Sequence, residues 1–141
     1  MLKLKIVTPQ KILIETEVDS VSLATPLGEI TILPHHIPYA SILSSGEIRY
    51  KIGGKTEFIA ISEGFVEMKK PDQVVVLADT AEFGHEIDLK EAEEARERAR
   101  VLMNSKDAQS QAQASASFQK QLARIRVAHK HRSHSKQNVE Q

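Results

Sequence analysis

The sequence predicts an α+β fold: an N-terminal antiparallel β-sandwich over residues 1–84, followed by a C-terminal antiparallel two-helix hairpin over residues 85–130. Two observations predict it. All five prolines lie between Pro9 and Pro71 and all six glycines between Gly28 and Gly84, so the residues that punctuate turns stop before the chain does. The spacing of apolar residues also changes after Gly84, from the short period of strands to the longer period of helices. A compact strand-rich part joined to a helical part that moves points to coupling between partners more than to catalysis.

Residues 2–7 alternate, with Leu2, Leu4 and Ile6 on one face, and read as a half-buried strand. Thr8-Pro9 turns the chain into a second strand at 11–18, and a third follows at 21–25. Pro26-Leu27-Gly28 is a turn, after which Glu29 to Leu33 forms a strand ended by Pro34. Residues 46–52 place Ile48, Tyr50 and Ile52 inward, and Gly53-Gly54 signals a hairpin into 55–62. Strands at 65–69 and 73–79 complete the set, the last one valine-rich. Ile6, Val21, Ile32, Ile59, Val75 and Leu77 are the candidate core. Short strands at this spacing predict two packed sheets.

The helices carry their own start signals. Asp88 is placed to cap a helix whose third residue is Glu91, a capping-box arrangement. Leu89, Ala92, Ala95, Ala99 and Leu102 then recur at helical spacing, a stripe of mostly small residues that lets a partner helix approach closely while burying little apolar area. Asn104 to Asp107 breaks the pattern, and Asp107 is placed to cap a second helix with Ala114, Phe118, Leu122, Ile125 and His129 on one face. Residues 131–141 lose apolar periodicity and are expected to form a disordered tail.

Composition narrows the function. The chain has 141 residues and zero formal net charge, with eight basic and eleven acidic residues up to Gly84 and the balance reversed beyond it. That asymmetry is too small for a nucleic-acid-binding face, and no nucleic-acid partner is expected. The absence of cysteine excludes disulfides, thiolate chemistry and cysteine-ligated zinc. No secretory signal opens the chain and no apolar run has the length to span a bilayer, so a soluble, peripheral protein is expected. No phosphate loop or glycine-rich nucleotide fingerprint occurs, and no local motif points to a Ser/His/Asp set, so the chain is expected not to be an enzyme. His35-His36 and the group His129, His131 and His134 are metal-ligand types. No third ligand is spaced beside the first pair, and no metal site is expected. Arg96, Arg98, Arg100, Lys120 and Arg124 form either a phosphate-holding group or a solvated face paired with Glu93, Glu94 and Glu97.

Three runs carry a family resemblance: GEITILPHHIPYASIL at 28–43, ISEGFVEM at 61–68 and VVVLADTAE at 74–82. In this order, and followed by a helical hairpin, they resemble the epsilon subunit of bacterial F-type ATP synthase. The likeness extends from Ile6-Val7-Thr8-Pro9 to Ile125-Arg126-Val127-Ala128. Three family glycines are replaced, by Thr31, His35 and Glu63. Wherever such a glycine has positive φ, its replacement costs about 1 kcal/mol. The run Ile87-Asp88-Leu89-Lys90-Glu91-Ala92 resembles the ATP-sensing motif of some relatives, with Glu91 standing where they have arginine.

The resemblance implies a non-catalytic central-stalk (rotor) subunit at the cytoplasmic face of the bacterial plasma membrane. Its implied partners are the gamma subunit, the ring of c subunits, and the beta and alpha subunits, the last two reached by an extended hairpin that regulates ATP hydrolysis. Glu29, Ile30, Pro34, His36 and Pro38 would meet the ring. Ile87, Asp88, Ala92, Arg98, Lys120 and Arg124 correspond to the ATP site; no cofactor is required, and any regulatory ATP is expected to bind weakly because Glu91 repels phosphate. A stand-alone β-sandwich binding module with a helical dimerisation arm is the alternative reading.

Overall fold

The computed structural model describes residues 1–69 and 71–140. Eight strands come first: β1 (Leu2–Val7), β2 (Ile12–Val18), β3 (Ser20–Thr25), β4 (Gly28–Ile32), β5 (Tyr39–Leu43), β6 (Gly46–Ile52), β7 (Lys55–Lys69) and β8 (Gln73–Phe83). A short 3-10 turn, Gly84–Glu86, leads into α1 (Leu89–Leu102) and α2 (Ala108–Glu140).

The two longest strands, β7 and β8, run through both layers of the sandwich. The C-terminal half of β7 pairs with β5 and with the start of β8, which itself pairs with β1 and so connects to β2. The N-terminal half of β7 pairs with β6, and the sheet continues through β3 to β4. Pairing is antiparallel except between β1 and β8, which run parallel. The crossing point is Ser62-Glu63-Gly64. A Cβ on Gly64 would lie 2.3 Å from the Leu77 carbonyl oxygen, so only glycine lets the strands approach this closely. This glycine continues the strand instead of ending it, and the two strands read from sequence at 55–62 and 65–69 are one.

Between the layers, Leu2, Leu4, Ile6, Val21, Leu23, Ile32, Ile48, Ile59, Val66, Val74 and Val76 are fully buried. Burial pushes the Tyr50 phenol up to about 12, with the Glu57 charge adding to the effect. Three expectations need correction. Leu77 is exposed and Val75 only half-buried, because β8 turns Val74 and Val76 inward, and a run of four apolar residues does not reveal its own parity. Ile52 is exposed beside the Gly53-Gly54 turn. β5, whose short sequence lies between Pro38 and Ser44, had no strand expectation at all.

The hairpin lies on the outer face of the second layer, where Phe58 and Ala60 of β7 meet Ile87, Ala92, Ile125, Val127 and Ala128. Asp88 accepts the Glu91 N–H at 3.1 Å and caps α1. Asp107 accepts from the Ser110 N–H and hydroxyl at the start of α2. The expected disordered tail at 131–141 is corrected for the described residues: α2 continues as helix to Glu140, with neither glycine nor proline after Gly84 to stop it, and Gln141 lies outside the described residues. Gly84 allows this helix to lie close, since a Cβ there would come within 3.0 Å of the His131 Cβ and 3.2 Å of a Val127 methyl.

Candidate functional site

Arg124 sits at the centre of the hairpin seam. It is 9% exposed and donates to four acceptor atoms. Its Nε and Nη2 reach the two Glu82 oxygens at 2.8 and 3.2 Å, and its Nη1 reaches Glu91 Oε2 at 2.7 Å and Gln121 Oε1 at 2.8 Å. Burial opposes the charge, but the bonds to Glu82 and Glu91 outweigh it and hold the guanidinium above its ordinary value. One side chain of α2 thus ties together β8, α1 and its own helix, with the forked geometry that favours arginine over lysine.

The other ATP-motif positions are dispersed around this centre. Ile87 is buried in the seam cluster, Ala92 is fully buried, and the Asp88 carboxylate is engaged as the α1 cap. Arg98 lines a cleft between the helices together with Glu91, Ala95 and Gln121. Lys120 lines a separate groove on the sandwich side of α2, with Ser45, Ser62, Glu63 and Asp79. Glu91, Arg98 and Arg124 are brought to one region; Lys120 faces another. Arg100 is held by Glu97 in an exposed pair whose hydrogen bond lowers the Glu97 carboxyl below its usual range. The residues fit poorly to an anion site, because a phosphate arriving at Arg124 has to displace carboxylates already bonded to it.

The turn after β4 forms the other candidate region. Glu29 pairs with Arg49 at 2.6 Å, and Arg49 also binds Glu47, which in turn pairs with Lys130 of α2. Ile30 packs against the core. The His36 Nδ1–H donates to the Ile37 carbonyl at 2.7 Å, and its ring meets Tyr39 edge-on. Pro34 is half-buried and Pro38 exposed. Of the three residues in family glycine positions, His35 alone has positive φ, at 69°. Thr31 lies in β4 and shares a 2.8 Å hydrogen bond with Ser22, and Glu63 is exposed at the strand crossing. Sequence reasoning missed the apolar side chains presented at this turn, where Leu33 and Ile37 are exposed, and at the opposite end of β4, where Leu27 is exposed.

It also missed a band on the outer face of the first layer. Cross-strand register joins Ile12 to Val7, Val7 to Leu77, Leu77 to Phe65 and Phe65 to Ile42. Ile12, Leu77, Phe65 and Ile42 are 52%, 51%, 39% and 62% exposed. The signal was present as apolar residues at outward parity in neighbouring strands, but it needs the register to be seen. Among the described residues no group of three or more metal-ligating side chains converges, and no helix is long and apolar enough to cross a membrane.

Comparison with known proteins defines the class. Residues 1–84 match the family model described as "ATP synthase, Delta/Epsilon chain, beta-sandwich domain". Residues 85–129 match the one described as "ATP synthase, Delta/Epsilon chain, long alpha-helix domain". The chain belongs to this ATP synthase delta/epsilon-chain family. Its curated relatives include the ATP synthase epsilon chain of Syntrophobacter fumaroxidans, 48% identical over 107 residues that cover 75% of this chain and 79% of the relative. The epsilon chain of Carboxydothermus hydrogenoformans is 48% identical over 99 residues, covering 70% and 73% of the two chains. A chain in the Euglena gracilis mitochondrial ATP synthase OSCP/F1/c-ring structure shares the fold with a TM-score of 0.75 at 24% identity, covering 84% of this chain and 75% of that one.

Proposed function

We propose that this chain is a central-stalk rotor subunit of an F-type ATP synthase, non-catalytic itself, at the cytoplasmic face of a bacterial membrane. The observation that carries the reading is the five-strand apolar band from Ile12 to Ile42, joined with the epsilon-chain likeness. Contiguous exposed apolar surface marks a protein interface. In a rotor subunit this band is the face that grips gamma, while the Glu29–Pro38 turn, with Leu33 and Ile37 exposed, meets the ring of c subunits.

The hairpin supplies regulation. Its contact with the sandwich is a small cluster of seven buried residues, three of them alanines, tied by Arg124 and by the Lys130–Glu47 pair, so a docked and a released state differ by little, as a switch requires. Released, it extends toward the beta and alpha subunits and restrains hydrolysis. Regulatory ATP binds weakly, because Glu91 opposes phosphate and already occupies Arg124.

The test is assembly. Phe65→Glu with Leu77→Glu places two charges on exposed band positions, so the subunit stays folded but no longer co-purifies with the solubilised ATP synthase. Unimpaired co-purification of the double variant defeats the assignment of this face. If the unaltered chain fails to co-purify with the complex at all, the stand-alone module with a dimerisation arm takes its place.

A further inference from the structure

We propose that the stretch of α2 beyond residue 129 is a strap, which holds the hairpin on the sandwich and makes the docked state the resting one. The inference rests on the mobile-hairpin reading above.

The family model ends at residue 129, whereas α2 runs on to Glu140. The extension stays on the sandwich. Val127, fully buried in the seam, is followed at spacings of four and three by His131 and His134, which keeps all three on one helix face. Lys130 pairs with Glu47 of β6. At His131 the helix crosses Gly84, where an added Cβ would lie 3.0 Å from the His131 Cβ. His134 packs edge-on against Phe58 of β7, with ring centroids 5.6 Å apart. In the β6–β7 register Glu47 lies opposite Ala60 and Arg49 opposite Phe58, so Lys130 and His134 meet successive rows on one outer face. Four helical residues advance about 6 Å and two strand residues about 6.6 Å, and this near match lets the helix keep contact as it runs along the sheet.

The strap can leave without harm to what it covers. Glu47 also binds Arg49 and keeps that cation when Lys130 departs. Glu47, Phe58 and Gly84 all lie outside the core between the two layers. Each contact is modest on its own, one a partly exposed ion pair and the other an edge-on ring pair. Where two states differ by little, such contacts together decide which one is populated at rest. The sign of the effect on activity follows. If the released hairpin is the one that restrains hydrolysis, loss of the strap increases the restraint. An end that acted only in the released state would do the reverse, and its loss would raise hydrolysis.

The chain has no cysteine, so two introduced ones carry dyes without background. Donor and acceptor on Lys55→Cys and Arg126→Cys, both exposed positions outside the strap, report docking. The readout is compared among the full chain, a chain ending at residue 129, and the full-length double variant Lys130→Ala, His134→Ala. Both alterations are expected to lower the docked-to-released ratio about ten-fold, with the circular dichroism of the double variant native. Both are also expected to lower ATP hydrolysis by synthase reconstituted with the altered subunit. An unchanged ratio in the double variant overturns the strap, as does hydrolysis that rises on truncation. Arg124→Gln separates this from the parent reading. If it opens the hairpin and the double variant does not, mobility stands and the strap falls; if neither opens it, both fall.

Discussion

His35 holds a backbone angle that glycine adopts freely and other residues do not, with φ at 69°. The position survives because its N–H donates to Asp72 Oδ1 at 2.7 Å, a backbone bond that glycine at 35 also makes. His35→Gly is therefore expected to relieve strain and stabilise the sandwich by about 0.5–1 kcal/mol, the greater freedom of glycine when unfolded taking back part of the gain. A rise of a few degrees in the thermal midpoint checks it; a fall shows that the His35 side chain contributes more than the strain costs. Thr31 and Glu63 carry no such penalty, one paired with Ser22 in a strand and the other exposed, so three replacements that look alike in sequence differ in backbone geometry. Glu91 is the second informative residue. It bonds to Arg124 at 2.7 Å where the ATP-sensing motif has arginine. Glu91→Arg removes that bond and adds a forked cation beside Arg98. ATP affinity, measured by calorimetric titration at fixed magnesium, is expected to rise about ten-fold or more. No gain separates the cation cluster from nucleotide binding altogether.

Arg124 decides how the second helix sits. Replacing it with glutamine severs the ties to Glu82 and Glu91 and is expected to weaken docking by about 1.5–3 kcal/mol, the range for hydrogen bonds to charged groups. Hydrogen exchange in α2 should quicken while β1 and β8 amides keep their protection; equal quickening in both would mean that the clamp supports the sandwich core as well. Elements whose signal is local were legible in the sequence. The alternation of Leu2, Leu4 and Ile6 and the caps Asp88 and Asp107 all appear where their spacing placed them. What stayed hidden depends on distant partners. Gly64 continues a strand because the Leu77 carbonyl approaches it, a contact invisible from residue 64 alone. The helical continuation past residue 130 is anchored by His131 and His134 against His85 and Phe58, which no apolar period announces. The candidate site divides in the same way. Glu91 and Arg124 meet across the seam, whereas Lys120 turns to another groove, and only the packing of α2 between α1 and the sandwich distinguishes them.

At the scale of the whole molecule the division of labour follows from where the core lies. Each fully buried large side chain between the two layers, from Leu2 to Val76, belongs to the strand-rich part, and the helical part adds a separate cluster in which Ile87, Ala92, Ile125, Val127 and Ala128 meet Phe58 and Ala60. Cooperative stability comes from a contiguous core, so residues 1–84 are expected to fold without the hairpin. Removing the helices exposes Phe58 and Ala60 and leaves Glu82 without Arg124, but Glu82 then faces water, where an unpaired carboxylate costs little. The isolated sandwich should therefore melt in one cooperative transition, a few degrees below the full chain, and should still bind the stalk through its apolar band. A broad, non-cooperative melt would show that the hairpin is part of the folding unit, and a hairpin that the sandwich needs in order to fold is a poor candidate for release. If the melt is sharp but binding is lost, the band is not the principal contact and the helices carry attachment. A sharp melt with binding retained leaves the helical part free to move without loosening the grip on the partner, and that separation is what a rotor subunit with a regulatory arm requires.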